Sequence, residues 1–241
     1  MGAGVTKSTK EIIRTVKSKE NSIWEKTKKI LTEIAVIVFS VSLSIGLHSW
    51  SGANHNQDEV ESFLVGLRND LKKDRNEMLS DMQAYQAQKK AFTYIVEMPK
   101  GQQANSDSIK LHLPAMKSFT GFLGNSGRYE GFKSSGKIAF IKDDDLQNNI
   151  LDYYEETIPI LTRGTDFYKI EKQKLNEFII DKTNGFPAGN FAQVLSSGPV
   201  RNRSMLYLSS VDSIIKNYEN CISKIDGITE LIDKKYPQKK Q

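Results

Sequence analysis

The run ILTEIAVIVFSVSLSIGLHSW, Ile30 to Trp50, restricts this chain more than any other feature, because about 20 mostly apolar residues rising 1.5 Å each match a hydrocarbon core about 30 Å thick. It reads as a single transmembrane helix acting as a signal anchor. Its uncharged part is Ile34 to Leu47; Glu33 and His48 bracket that part at headgroup depth, and Trp50 is the amphipathic ring expected at an interface. A buried helix of a soluble protein is the competing reading. Residues 1–29 carry eight Lys/Arg against three acids, whereas no Lys or Arg follows the run before Arg68, which favours the membrane and fixes the direction of crossing.

The N-terminus is therefore expected in the cytoplasm and the bulk of the chain in the periplasm, held at a bacterial inner membrane. Four segments follow: 1–29, a basic cytoplasmic piece with a short amphipathic helix opened by a capping box at Ser8 to Glu11; 30–50, the span; 51–56, a Ser/Gly/Asn linker; and 57–241, the periplasmic domain. Cleavage after Ser51-Gly52-Ala53 is the alternative, but 29 residues are long for the leading part of a signal peptide. Ser42 and Gly46, four apart, allow another helix to approach closely, and Glu33 at the edge of a span is where an ion-driven stator would carry a proton. A carboxylate snorkelling among Lys26, Lys29 and headgroups is the simpler account of Glu33.

A net charge of +5 would point to nucleic acid if the cations lined one face. They are concentrated at the two ends of the chain instead, so nucleic acid is not expected as a partner. The lone cysteine, Cys221, makes no internal disulfide and reads as a core residue.

Beyond the linker the apolar residues Val60, Phe63/Leu64, Leu67, Leu71, Met78, Met82, Tyr85, Phe92 and Ile95/Val96 recur at steps of three, four or seven. That spacing is a helical seam, expected from Gln57 to Met98 and stopped by Pro99. Leu208, Val211, Ile214/Ile215, Tyr218, Ile222, Ile225, Ile228 and Ile232 repeat the pattern up to Pro237. Further helices are expected at 114–134, 144–158 and 160–182, with Asp143 as N-cap and Pro159 dividing the last two, and 184–202 is expected to be irregular with Arg201 and Arg203 solvated. Ile109 to Leu113 alternates like a strand but has no strand to pair with. The fold class is all-α: one N-terminal transmembrane helix and an extracytoplasmic bundle with long antiparallel, coiled-coil-like helices.

The stretch GFKSSGK, 131–137, fits all but the last position of a phosphate loop. No buried strand precedes it, and Ile138 occupies the place of the magnesium-binding hydroxyl, so no nucleotide is expected. Gly136 reads better as a left-handed helix C-cap, with Ile138, Phe140 and Ile141 pinning a corner. His48, His55 and His112 are not spaced as metal ligands with Cys or acids, and no nucleophile motif is present. No cofactor, metal or catalytic residue is expected.

Two segments also resemble a known family. NSIWEKTKKILTEIAVIVFSVSLSIGLHSW with ESFLVGLRNDLKKDRNEM, and YEGFKSSGKIAFIKDDDLQNNILDYYEE, are similar to uncharacterised single-span inner-membrane proteins of Bacteroidota, a domain of unknown function. The positions carrying the resemblance are Glu33, Trp50, Tyr129, Phe132, Ser134, Ser135, Gly136, Asp143, Leu146, Tyr153 and Tyr154. Where that family has Asn-Asn-Trp, this chain has His48-Ser49-Trp50. The resemblance implies an inner-membrane protein with a periplasmic helical domain and brings no activity with it. The expected role is non-enzymatic: a membrane-anchored structural or interaction protein, an accessory or scaffold subunit of an envelope complex or a self-assembling bundle, with the lipid bilayer and other protein as its partners. A periplasmic small-ligand sensor signalling through a partner is the alternative, and a stator subunit using Glu33 the third reading.

Overall fold

The computed structural model describes the backbone of residues 3–185 and 188–237, and the side chains of 28–29, 31–43, 55–185 and 188–237. Among these residues there are helices and turns but no strand. The elements are α1 (Ala3–Glu97), α2 (Ser106–Lys117), α3 (Gly127–Ser134), a 3₁₀ turn (Lys137–Phe140), α4 (Asp144–Asp152), a π-turn (Tyr153–Thr157), α5 (Ile158–Lys182), α6 (Phe191–Leu195) and α7 (Gly198–Lys235). The chain divides into two compact units, Met1–Asn56 and Gln57–Gln241.

In the first unit the backbone belongs to α1 throughout the described part, including residues 51–56, which the sequence reading makes a linker. Among the described residues no helix is long and apolar enough to cross a membrane. The span expected at Ile30 to Trp50 falls partly on positions 30 and 44–50, whose side chains lie outside the described residues.

The second unit is organised by a spacing stricter than composition reveals. Along α1 the buried positions include 60, 64, 67, 71, 74, 78, 81, 85, 88, 92 and 95, an unbroken alternation of steps of four and three, with Phe63, Arg68 and Ala91 buried beside it. Along α7 they are 200, 204, 207, 211, 214, 218, 221, 225, 228 and 232, again without a break. An average step of 3.5 keeps a seam facing its partner only if the helices coil around each other with a left-handed twist. Arg68 with Asp233 at 2.7 Å, Arg75 with Asp226 at 2.7 Å and Lys89 with Asp212 at 2.6 Å show that α7 runs antiparallel to α1. Cys221, expected in the core, is buried in this seam, and burial pushes its thiol up to about 12.

The third rod is α4, the π-turn and α5 in succession, parallel to α1. Its buried positions run 146, 150, 153, 157, 161, 165, 168, 172, 175 and 179. Three steps of four fall together between 153 and 165, one residue more than the seam allows. The π-turn absorbs that residue: the Ile158 N–H donates to the Tyr153 carbonyl, five back, and the seam continues in register. Pro159 therefore does not separate two helices as the sequence reading has it; it sits in the first turn of α5, where the widened ladder does not need its missing N–H.

Three further expectations are corrected. The helix expected at 114–134 is two helices, α2 and α3, joined by an extended segment 118–126, whose backbone groups find acceptors and donors on α1 side chains. Ile109 to Leu113, strand-like in sequence, is part of α2, opened by Asn105, whose side chain accepts from the Ser108 N–H at 2.7 Å. The irregular region is shorter than 184–202, because α7 already starts at Gly198 with Pro199 in its first turn. Arg201 is not solvated: its guanidinium donates to the Val96 carbonyl at 2.7 Å and to that of Met98, closing the C-terminal end of α1 where carbonyls have no helical partner.

Candidate functional site

Three of the interior seam positions of α1 are polar: Asp74, Asp81 and Gln88, seven apart. A buried polar group is costly unless hydrogen-bonded, so each needs a partner from a neighbouring element. The extended segment 118–126 supplies most of them. Asp74 accepts from the Asn125 N–H at 3.1 Å and its side-chain amide at 2.5 Å; Asp81 accepts from the Thr120 hydroxyl at 2.6 Å and the Tyr218 hydroxyl at 2.8 Å. Tyr85 donates to the Thr120 carbonyl at 3.0 Å, and Glu77 accepts from the Leu123 N–H at 3.0 Å. Main-chain groups that would otherwise be buried without partners are thus paired.

Gln88 leads to the one fully buried lysine among the described residues. Its Oε1 accepts from the Tyr168 hydroxyl at 2.9 Å and from Lys172 Nζ at 2.6 Å, and Lys172 also donates to the Ala115 carbonyl at 3.2 Å and to that of Ser118. Three acceptors match the three N–H bonds of an ammonium. None of them carries a charge, and burial lowers the Lys172 pKa to about 7. The rings of Phe119 and Tyr168 face the same nitrogen at 5.2 and 5.9 Å.

Two cavities flank the segment. A largely apolar one of about 600 Å³ lies between α2, Phe119 and α5, lined by Leu113, Met116, Ile179 and Phe191, with Lys169 and Gln173 among its polar groups. A smaller one of about 280 Å³ is lined by Asp74, Phe122, Tyr153 and Tyr154. Both Tyr153 and Tyr154 bury a hydroxyl that has no hydrogen-bond partner among the described residues, and burial first, then the field of Asp74, raises the pKa of each.

Next to the smaller cavity stand the corner residues read from the sequence. Tyr129 stacks on Tyr154 at 4.2 Å and donates to Glu155 Oε1 at 2.5 Å; Tyr153 meets Tyr154 edge-on at 4.9 Å; Phe132 stacks on Phe63 of α1 at 3.9 Å. Ser134 and Ser135 turn their hydroxyls onto the Gly131 and Phe132 carbonyls, and Gly136 follows at φ 74°, the left-handed conformation that ends α3. Asp143 accepts from the Leu146 N–H at 3.0 Å and caps α4, with Leu146 buried. Lys137, the lysine of the phosphate-loop look-alike, pairs with Glu59 at 2.7 Å. Tyr129, Tyr153 and Tyr154 thus meet in one ring cluster, Phe132 packs on α1, and Ser134, Ser135, Gly136 and Asp143 serve helix ends. Glu33 and Ser42 are exposed on α1 in the first unit, and the side chain of Trp50 and the surroundings of Gly46 lie outside the described residues. Among the described residues no group of three or more His, Cys, Asp or Glu could hold a metal ion.

A comparison with protein families matches residues 33–204 to a family of unknown function, DUF6090. The chain belongs to DUF6090. The matched region of this DUF6090 member starts at Glu33, includes the corner, the segment 118–126 and Lys172, and stops within the first turns of α7. Comparisons with curated proteins and with solved structures each found no match.

Asp74, Asp81, Gln88 and Lys172 escaped the sequence reading, although a signal was there. The apolar steps of seven, Leu71 to Met78 and Tyr85 to Phe92, each skip a polar residue that occupies the intervening seam position.

Proposed function

We propose that this chain is a membrane-anchored interaction protein, a scaffold or accessory subunit of an envelope complex or a self-assembling bundle, working without catalysis. The observation that carries the reading is in the first unit. Leu31, Ile34, Val36, Ile37, Val38, Phe39, Val41 and Leu43 point around most of the helix circumference, and each is half or more exposed. Water does not tolerate such a surface, whereas lipid covers it without further protein. The polar groups among them fit that solvent: Ser40 turns its hydroxyl back onto the Val36 carbonyl at 2.7 Å, so it needs no water. Lys28 and Lys29 precede the run and no Lys or Arg follows it before Arg68, which supports an N-terminus in the cytoplasm and a periplasmic bundle.

Alkaline carbonate extraction of cells expressing the full chain tests the anchor. The protein is expected in the membrane pellet, with its C-terminal end open to protease added to spheroplasts. Release into the carbonate supernatant removes the reading. Affinity purification from native membranes tests the interaction role, which is abandoned if the extracted protein is a lone monomer.

The 600 Å³ cavity favours a second reading, a small-ligand sensor that signals through a partner, since its size and apolar lining are those of ligand sites. A stator role for Glu33 is the third reading of the same anchor, after the scaffold and the sensor. It predicts that Glu33→Gln abolishes function with assembly intact.

A further inference from the structure

The smaller cavity holds an electrostatic imbalance. Asp74 is 1 % exposed, and among the described residues no Lys or Arg pairs with it; only Asn125 donates to it. The charges that act on it are those of two acids, Glu77 and Asp70, and Asp70 already pairs with Arg128 at 2.8 Å. Two more polar groups are unmet in the same place: Tyr153 is 0 % exposed, and among the described residues neither its hydroxyl nor that of Tyr154 has a partner. Buried polar groups are nearly always hydrogen-bonded, to protein, to ordered water or to a ligand.

We infer that this cavity is a binding site for a small primary ammonium compound, with Asp74 as countercharge and the Tyr153 and Tyr154 hydroxyls as the remaining acceptors. The match is one of number and sign. A primary ammonium has three N–H donors, and the cavity has a carboxylate and two phenolic oxygens. The Phe122, Tyr153 and Tyr154 rings lining it offer π faces to a cation, and Tyr154 is held in place by the Tyr129 ring stacked on it. An anion would face Asp74 while Arg128, the cation whose charge reaches Tyr154, is already paired with Asp70, and a neutral alcohol would leave the carboxylate uncompensated. At about 280 Å³ the space suits a short alkyl chain behind the nitrogen. Burial, the largest cause, and the neighbouring acids raise the Asp74 pKa, the direction of a carboxylate whose countercharge is missing. The site is built within the second unit and does not depend on the anchor or on the scaffold reading.

The test uses the full chain in detergent and three isosteric probes: n-butylammonium chloride, n-butanol and sodium butyrate. The ammonium compound is expected to raise the melting temperature saturably, and the other two to leave it unchanged. Asp74→Asn is expected to weaken the ammonium affinity by about tenfold or more, since a hydrogen bond to a charged group is lost. Where that variant does not fold, the pair Tyr153→Phe with Tyr154→Phe replaces it. It removes two hydroxyls that have no protein partner, so the fold is kept, and a loss of about threefold or more is expected. No saturable shift, an equal shift with butanol or butyrate, or wild-type affinity in a folded variant overturns the inference.

Discussion

Residues 31–43 and residues 60–95 lie on one helix, yet they solve opposite problems. The first stretch has apolar side chains around most of its circumference and covers none of them; the second has a single narrow seam and buries it completely. The difference lies in the period. Where apolar residues follow steps of four and three, other helices of the same unit close over the seam; where they fill nearly every position, the side chains stay half or more exposed. The seam has a further property that the run does not: it carries Asp74, Asp81 and Gln88 inside, because partners at fixed heights on neighbouring elements can satisfy them.

The largest test of that contrast is Val38→Arg with Val41→Arg. Each arginine near the middle of a span costs about 3 kcal/mol, so the pair is expected to shift the full chain out of the carbonate-resistant pellet while the helical signal of 57–241 persists. A variant that still pellets would break the comparison. Leu71→Ala is the converse. Leu71 is 0 % exposed in the seam, and the change is expected to lower the unfolding free energy of the second unit by about 3 kcal/mol, read by urea denaturation, without altering membrane extraction.

Lys172 sharpens the polar side of the contrast. Its pKa is about 7 in the fold and 10.5 in the free side chain, so between these values the unfolded chain holds a proton that the folded chain has released. Stability is therefore expected to rise with pH above about 7, by about 2 kcal/mol at pH 9, and to be unaffected by this group below its folded pKa. Lys172→Met should flatten that slope, and an equal slope in both proteins would assign it elsewhere. The smallest effect belongs to Arg75→Ala: its contact with Asp226 at 2.7 Å is exposed on both sides, and the loss expected in thermal unfolding is about 0.5 kcal/mol or less.

Much of this architecture is written locally. The seams of α1 and α7, the caps at Asp143 and Gly136, and the stop before Pro99 each follow from residues a turn or two apart, because helix periodicity and capping are short-range effects. Where the reading failed, the decisive partner was remote. Residues 118–126 look helical by composition but are drawn out by acceptors on α1 about fifty residues earlier, and Pro159 looks like a break until a widened turn takes up one extra residue. Arg201 looks solvated until the end of α1 arrives beside it.

The amino-acid order by itself set the all-helical class, the apolar run at 31–43, and the helix ends at Gly136 and Asp143, since all three depend on side-chain spacing along one backbone. Only the packed bundle decided which polar residues are interior, that Lys172 is held as a guest of three uncharged oxygens, and that Asp74 and two phenols share a cavity. Those facts depend on which groups meet across elements, and a one-dimensional pattern does not contain the distances that decide it.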